Sequence, residues 1–199
     1  MKIYILRHED RTRDCSFFSP LTLVGLENAE KLIDILKKCK INKIYSSPFI
    51  RTLQTIYPYC NKTNKTINIE YGLSELHHQD IISKNAAGIS LPEYLAEAFC
   101  YNSEYKTIII PSEIKYPEKE IDVLPRIKKV LKEIITHNYK TDNNIIIVTH
   151  QAICIAVLKI VNKFSNEFKN KISRDNLTNY PKGRLCLVFN NNWTYLPIN

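Results

Sequence analysis

Short apolar runs alternate with stretches of helical period along most of this chain, and that alternation predicts the fold. Met1 to Leu6 (MKIYIL) reads as a buried strand. Thr22 is placed to cap a helix whose face is Leu23, Leu26, Ala29, Leu32, Ile33 and Leu36, and Gly25 in its first turns implies close approach of another backbone or a ligand. Ile41 to Ser46 reads as a second strand, Ser47 and Pro48 as the start of a helix that turns Phe49, Leu53 and Ile56 to the sheet, and Ile67, Ile69 and Tyr71 as a third strand. Glu118 to Tyr139 carries Ile121, Leu124, Ile127, Val130, Leu131, Ile134 and Ile135 on one side. Asn144 to Thr149 (NIIIVT) is another buried strand, followed by a helix from Gln151 to Val161. Gly183 opens a last substantial strand, Arg184 to Phe189, and Trp193 to Leu196 continues as an edge strand or a tail.

Strands and helices taking turns over 199 residues predict a single three-layer α/β domain, residues 1–199, with a largely parallel central sheet. Residues 80–117 break the pattern. They hold a short helix at Pro92 to Cys100, an apolar run at Ile108 to Ile110, and Pro111 and Pro117 as breakers. Too short for a core of its own, this stretch predicts a cap or insertion over the active edge of the sheet, where substrate choice would reside.

Two of the predicted strands end alike. Met1 to Leu6 delivers Arg7, His8 and Glu9, and Asn144 to Thr149 delivers His150. In an open α/β sheet the C-terminal strand ends are where ligands bind, so neighbouring parallel strands would bring both imidazoles to that site. Arg51, early in its helix, lies where free backbone N–H groups already favour an anion. Glu75 stands beyond the third strand between apolar neighbours. Two arginines and two histidines converging on one point would form a cationic cavity for a phosphoryl group, needing no metal or other cofactor. A histidine in such a cavity can act as nucleophile while a buried glutamic acid protonates the leaving oxygen and later draws a proton from water.

Composition narrows the partners. A net charge of +8 favours anions, but the lysines are spread over the chain instead of forming an arm or stripe, which argues against nucleic acid. No apolar run approaches the roughly 20 residues that cross a bilayer, and no leader precedes the first strand, so no membrane association is expected. The six cysteines are far apart with no C-x-x-C pair, which reads as free thiols in a cytoplasmic setting. His77 and His78 are adjacent and lack the spacing of a zinc site. No cysteine precedes an arginine by six positions, and the G-x-x-x-x-G-K-[ST] and G-x-G-x-x-G loops are missing, which removes the other common routes to phosphate chemistry.

These residues together resemble the histidine phosphatase superfamily, which includes cofactor-dependent phosphoglycerate mutase. The resemblance rests on Arg7, His8 and Glu9 for an Arg-His-Gly motif, and on Pro20, Leu21, Thr22 and Gly25. It extends through Ser46, Ser47, Pro48, Arg51, Gln54 and Thr55, through Glu75 after Gly72, Leu73 and Ser74, and through His150 after Ile147, Val148 and Thr149. It implies a phosphoglycerate mutase-like fold, His8 as the phosphorylated nucleophile, Arg7, Arg51 and His150 as a phosphate pocket, and Glu75 as proton donor. Arg11 resembles an extra phosphate-binding arginine in the branch that contains the Sts tyrosine-phosphatase-like domains.

Two residues depart from the pattern. Glu9 stands in place of the motif glycine, repelling phosphate if it faces inward and harmless if it faces outward. Gln151 and Ala152 stand where glycine or serine often follow the second histidine. The expected activity is hydrolysis of a phosphate monoester, on a phosphorylated small molecule or a phosphopeptide, by a monomer or homodimer. A mutase and a weakly catalytic phosphate-binding module remain as alternatives.

Overall fold

The computed structural model describes residues 1–14, 16–79, 82–84, 88–164 and 178–199. Cys15 and Asp80, the first residue of the expected cap, lie outside them. The elements in chain order are β1 (Lys2–Arg7), α1 (Leu23–Lys38), β2 (Lys43–Ser46), α2 (Ile50–Thr63), β3 (Ile67–Ile69), α3 (Glu93–Glu97), α4 (Glu120–Asn138), β4 (Asn144–Thr149), α5 (Gln151–Phe164), β5 (Leu185–Asn190) and β6 (Trp193–Pro197). The strands form one sheet in the order β3-β2-β4-β1-β5-β6. β3, β2, β4 and β1 are mutually parallel, whereas β5 and β6 run antiparallel at one edge. This is a three-layer α/β domain with a mixed, largely parallel central sheet.

Alternation along each strand builds the two outer layers. Tyr4, Leu6, Ile44, Ile146 and Val148 pack with α1 and α2 on one face, while Ile3, Ile5, Tyr45, Ile145 and Ile147 pack with α4 and α5 on the other. Burial on both faces is why the central strands read as unbroken apolar runs. The β1–β4 register sets Arg7 opposite Thr149, and the His8 N–H donates to the Thr149 carbonyl at 2.9 Å. His8 and His150 therefore leave the sheet side by side.

The structure corrects several boundaries and faces. α2 begins at Ile50 with Phe49 as its N-cap, β3 stops at Ile69 before a 3-10 turn over Tyr71–Leu73, and α3 has only five residues. In α1 the buried residues are Gly25, Ala29, Leu32 and Leu36, whereas Leu23 and Leu26 are 79% and 39% exposed. The face is rotated because the first turn packs on backbone instead of side chains: a Cβ at Gly25 would fall 2.1 Å from the Asp10 carbonyl oxygen. Close approach of another chain segment is the reason for that glycine. Ile121, expected on the buried side of α4, is 75% exposed.

The described part of 80–117 does more than overhang one edge. Ile82, Leu91 and Ala96 join the core on the α1/α2 face, and Ile109 and Ile114 the core on the α4/α5 face. Glu70, fully buried, ties it down: its carboxylate accepts from the N–H groups of Gly72 (2.8 Å), Ile108 (2.7 Å) and Ile109 (3.2 Å) and from the Tyr105 hydroxyl (2.7 Å). Among the described residues no helix is long and apolar enough to cross a membrane, and Cys39, Cys60, Cys100, Cys154 and Cys186 are free thiols.

Candidate active site

His8 follows β1 directly and is 3% exposed. Its Nδ1 lies 2.7 Å from the Glu9 carbonyl oxygen. A carbonyl only accepts, so Nδ1 carries the proton and Nε2 keeps its lone pair. Burial, reinforced by the Arg51 and Arg7 charges, holds the ring well below its usual pKa of 6.5. His8 is neutral near pH 7, with one nitrogen fixed and the other basic.

His150 packs against it, ring centroids 5.3 Å apart. Its Nε2 is 2.8 Å from the Ser47 hydroxyl, and Nδ1 lies 4.0 Å from Glu75 Oε2 with no hydrogen-bond partner. This ring is fully buried, and burial with the nearby Arg51 charge again lowers its pKa. Phe49 is the spacer for the cluster. The His150 ring meets it edge-on at 4.9 Å, and the Arg51 guanidinium carbon sits 4.5 Å above the same ring. The helix start places Arg51 in the first turn of α2, where its Nη1 donates to the Ser16 carbonyl at 2.9 Å.

Arg7 leaves β1 on the opposite face from His8 and donates through Nη1 to the Tyr180 carbonyl, while its Nε has no partner. Glu75 lies nearby, 8% exposed, with Oε1 accepting from the Leu76 N–H at 3.0 Å. Burial raises the Glu75 pKa above 4.5 even though Arg51, Arg7 and Arg126 pull it down. Arg11 stands at the edge of the group. Its Nη1 donates to the Thr12 carbonyl at 2.6 Å, and its charge reaches Arg7, His8 and His150.

Glu9 is buried, with its carboxylate turned toward α1 and Gly183. Its carboxylate is bonded by Asn28 of α1 and lies against Gly183, where a Cβ would fall 2.1 Å from Oε1; its N–H donates to Thr55 Oγ1 at 3.0 Å. The two phenylalanines of the 10–19 loop divide: Phe17 is buried on Phe49, 4.6 Å between centroids, and Phe18 is 41% exposed. His77 is buried without a partner on either ring nitrogen, and burial lowers its pKa to about 4.

The loop that carries Glu75 is held by residues the sequence pattern did not single out. Arg126 of α4 pairs with Glu118 through Nε and Nη2, both at 2.7 Å, and its Nη1 donates to the carbonyls of Gly72 (2.7 Å) and Ser74 (3.0 Å). Glu118 Oε2 also accepts from the His77 N–H at 3.2 Å, and Thr149 Oγ1 donates to the Leu73 carbonyl at 2.6 Å. Glu75 is thus fixed from both sides of its own position. The signal available in sequence was an arginine inside the apolar stripe of α4, preceded eight residues earlier by an acid. Ser47 gave none, because a serine before a helix reads as a junction residue.

The family model for the histidine phosphatase superfamily (branch 1) matches residues 12–180. Solved structures with the same fold include the ecdysone phosphate phosphatase of Bombyx mori, 14% identical over 98% of this chain and 91% of that one, TM-score 0.74. A mycobacterial glucosyl-3-phosphoglycerate phosphatase is 15% identical over 98% and 96%, TM-score 0.64, and the α-ribazole phosphatase of Shigella flexneri is 17% identical over 98% and 96%, TM-score 0.64. No curated protein sequence matches the chain. With that match spanning most of its length, the chain belongs to the histidine phosphatase superfamily, branch 1, and is a histidine-phosphatase-type enzyme.

Proposed function

We propose that the chain hydrolyses a phosphate monoester through a phosphohistidine on His8, without a metal. Arg7, Arg51 and His150 hold the non-bridging oxygens, with Arg11 at the rim, and the charge they supply is where it is needed as the phosphoryl group transfers. His8 Nε2 forms the bond to phosphorus as the ester oxygen leaves, and that oxygen takes the Glu75 proton. Water then attacks the phosphohistidine, giving its proton to the Glu75 carboxylate and freeing His8 and inorganic phosphate.

The observation that carries this reading is the pairing of protonation states in one buried cluster. A neutral His8 with Nδ1 tied to a carbonyl is set to attack, and a glutamic acid with raised pKa is set to donate. The Glu9 carboxylate, held by Asn28 and Gly183, supports catalysis over a binding module. All three similar structures named above are described as phosphatases, which supports hydrolysis over mutase transfer. In this reading residues 1–199 act as one domain on a phosphorylated small molecule or phosphopeptide, with 80–117 as an insertion.

The test is hydrolysis of p-nitrophenyl phosphate between pH 5 and 8 in excess chelator, comparing native chain with His8→Ala. The expected result is chelator-resistant turnover that falls by at least about 10³-fold in the variant. Turnover that follows added metal, or that survives in His8→Ala, would overturn the proposal.

A further inference from the structure

Resting on that reading, we propose that the leaving group of the substrate is an uncharged, largely apolar alcohol or phenol, received by the cavity between the N-terminal halves of α4 and α5. Glu75 must reach the oxygen that departs, so the organic part of the ester lies on the Glu75 side of the phosphoryl group. A cavity of about 540 Å³ opens there, with Arg7, Glu75 and Leu76 among its walls. That volume falls in the range of roughly 300–1,000 Å³ that encloses small organic molecules.

The walls define the chemistry. Beyond Leu76 the apolar walls are Val123, Leu124, Ala152, Ile155 and Ala156, and Gln151 and Thr178 add uncharged polar groups that suit a hydroxyl or ether oxygen without attracting a charge. Among the described lining residues, the ionisable groups other than Arg7 and Glu75 are Glu120 and Lys159. These two pair with each other at 3.2 Å, on side chains 82% and 40% exposed, so they lie toward solvent and cancel. With Arg7 engaged by the phosphoryl group, a carboxylate or second phosphate on the leaving group would lose its water without gaining an unpaired cation among the described lining residues. A chain or ring of carbon would gain from every methylene it buries. The same surface therefore disfavours a bisphosphate primer.

The experiment separates this proposal from the reading beneath it. A series of n-alkyl phosphates from ethyl to octyl keeps the leaving-group basicity almost constant, so differences report burial alone. The expected result is a kcat/KM that climbs about fourfold per methylene until the cavity is filled. It also includes a drop of at least about tenfold when the far end of the chain is made a carboxylate. Ile155→Lys should lower kcat/KM for octyl phosphate and raise it for the carboxylate ester; Ile155→Ala, a milder change, should flatten the upper end of the series. A flat series, or equal use of charged and uncharged esters, with His8-dependent hydrolysis intact, overturns the pocket assignment alone. Absence of His8-dependent hydrolysis of any ester overturns the reading and the assignment together.

Discussion

Two buried clusters of charge lie within a few residues of each other and are built on opposite terms. Around Arg126, Nε, Nη1 and Nη2 all find oxygen, Glu118 answers the charge through two parallel bonds, and the pair is buried, Arg126 in α4 and Glu118 just before that helix begins. Around His8, Arg7, Arg51 and Arg11 share the space with Glu75, whose burial favours its neutral form. Arg7 Nε and His150 Nδ1 have no partner. A satisfied buried network holds a shape, whereas an unsatisfied one of single sign is arranged for a ligand that brings the missing charge. The first cluster serves the second, because Arg126 grips the loop that carries Glu75.

Breaking the satisfied cluster should cost stability first. Arg126→Met leaves Glu118 buried without its partner, and a loss of about 3–5 kcal/mol is expected in urea unfolding. Adding Glu118→Leu should restore much of that stability, yet hydrolysis of alkyl phosphates should stay depressed while p-nitrophenyl phosphate, whose leaving group needs little protonation, recovers. Equal recovery of both substrates would reduce the clamp to a purely structural part.

Breaking the unsatisfied cluster should do the reverse. Arg51→Met is expected to cut kcat/KM by about 10²–10³, roughly 3–4 kcal/mol of transition-state stabilisation, with little loss of unfolding free energy. Glu75→Gln sharpens the contrast through pH. On the proposed mechanism the native enzyme needs His8 neutral and Glu75 protonated for its first step. Activity should therefore fall on the acid side well below pH 6.5 and on the alkaline side above the raised Glu75 value. Glu75→Gln should lose about 100-fold on alkyl phosphates and also lose the alkaline limb. Because the folded state holds the Glu75 proton to higher pH than the unfolded chain, its contribution to stability is full below about pH 4.5 and is lost as pH rises through the folded value. Glu75→Gln should therefore melt higher than the native chain at pH 7, with the difference closing toward pH 4.

The smallest effect belongs to Glu9. Its carboxylate faces Asn28 and Gly183, so Glu9→Gln should change kcat/KM by less than about threefold, within the ordinary range of substitutions outside a binding site. A larger gain in activity would place the charge inside the phosphate pocket.

What could be read from sequence follows from what leaves a periodic trace. The two strands ending in histidine were legible because burial on both faces makes β1 and β4 continuous apolar runs, and their parallel pairing follows from the helices between them. Arg51 and Glu75 were legible by position, since a helix start and a loop beyond a strand end are where a parallel sheet presents side chains. Other features left no such trace. The rotated face of α1 depends on the Asp10 backbone, the pairing of Ser47 with His150 spans 103 residues, and the direction of Glu9 is set by Asn28 and Gly183. Arg126 and Glu118 read as ordinary helix charges until the fold brings them under the Glu75 loop.

The central claim is that phosphorus becomes bonded to His8 during turnover. The direct measurement is a rapid alkaline quench of the native chain with an ester labelled in its phosphoryl group, followed by location of the label in peptides. The account predicts a base-stable, acid-labile label on His8 alone, absent from His8→Ala and discharged to water at the rate of turnover. Label on His150 or elsewhere, or full-rate hydrolysis in a single turnover with no phosphoenzyme at any time, would contradict it.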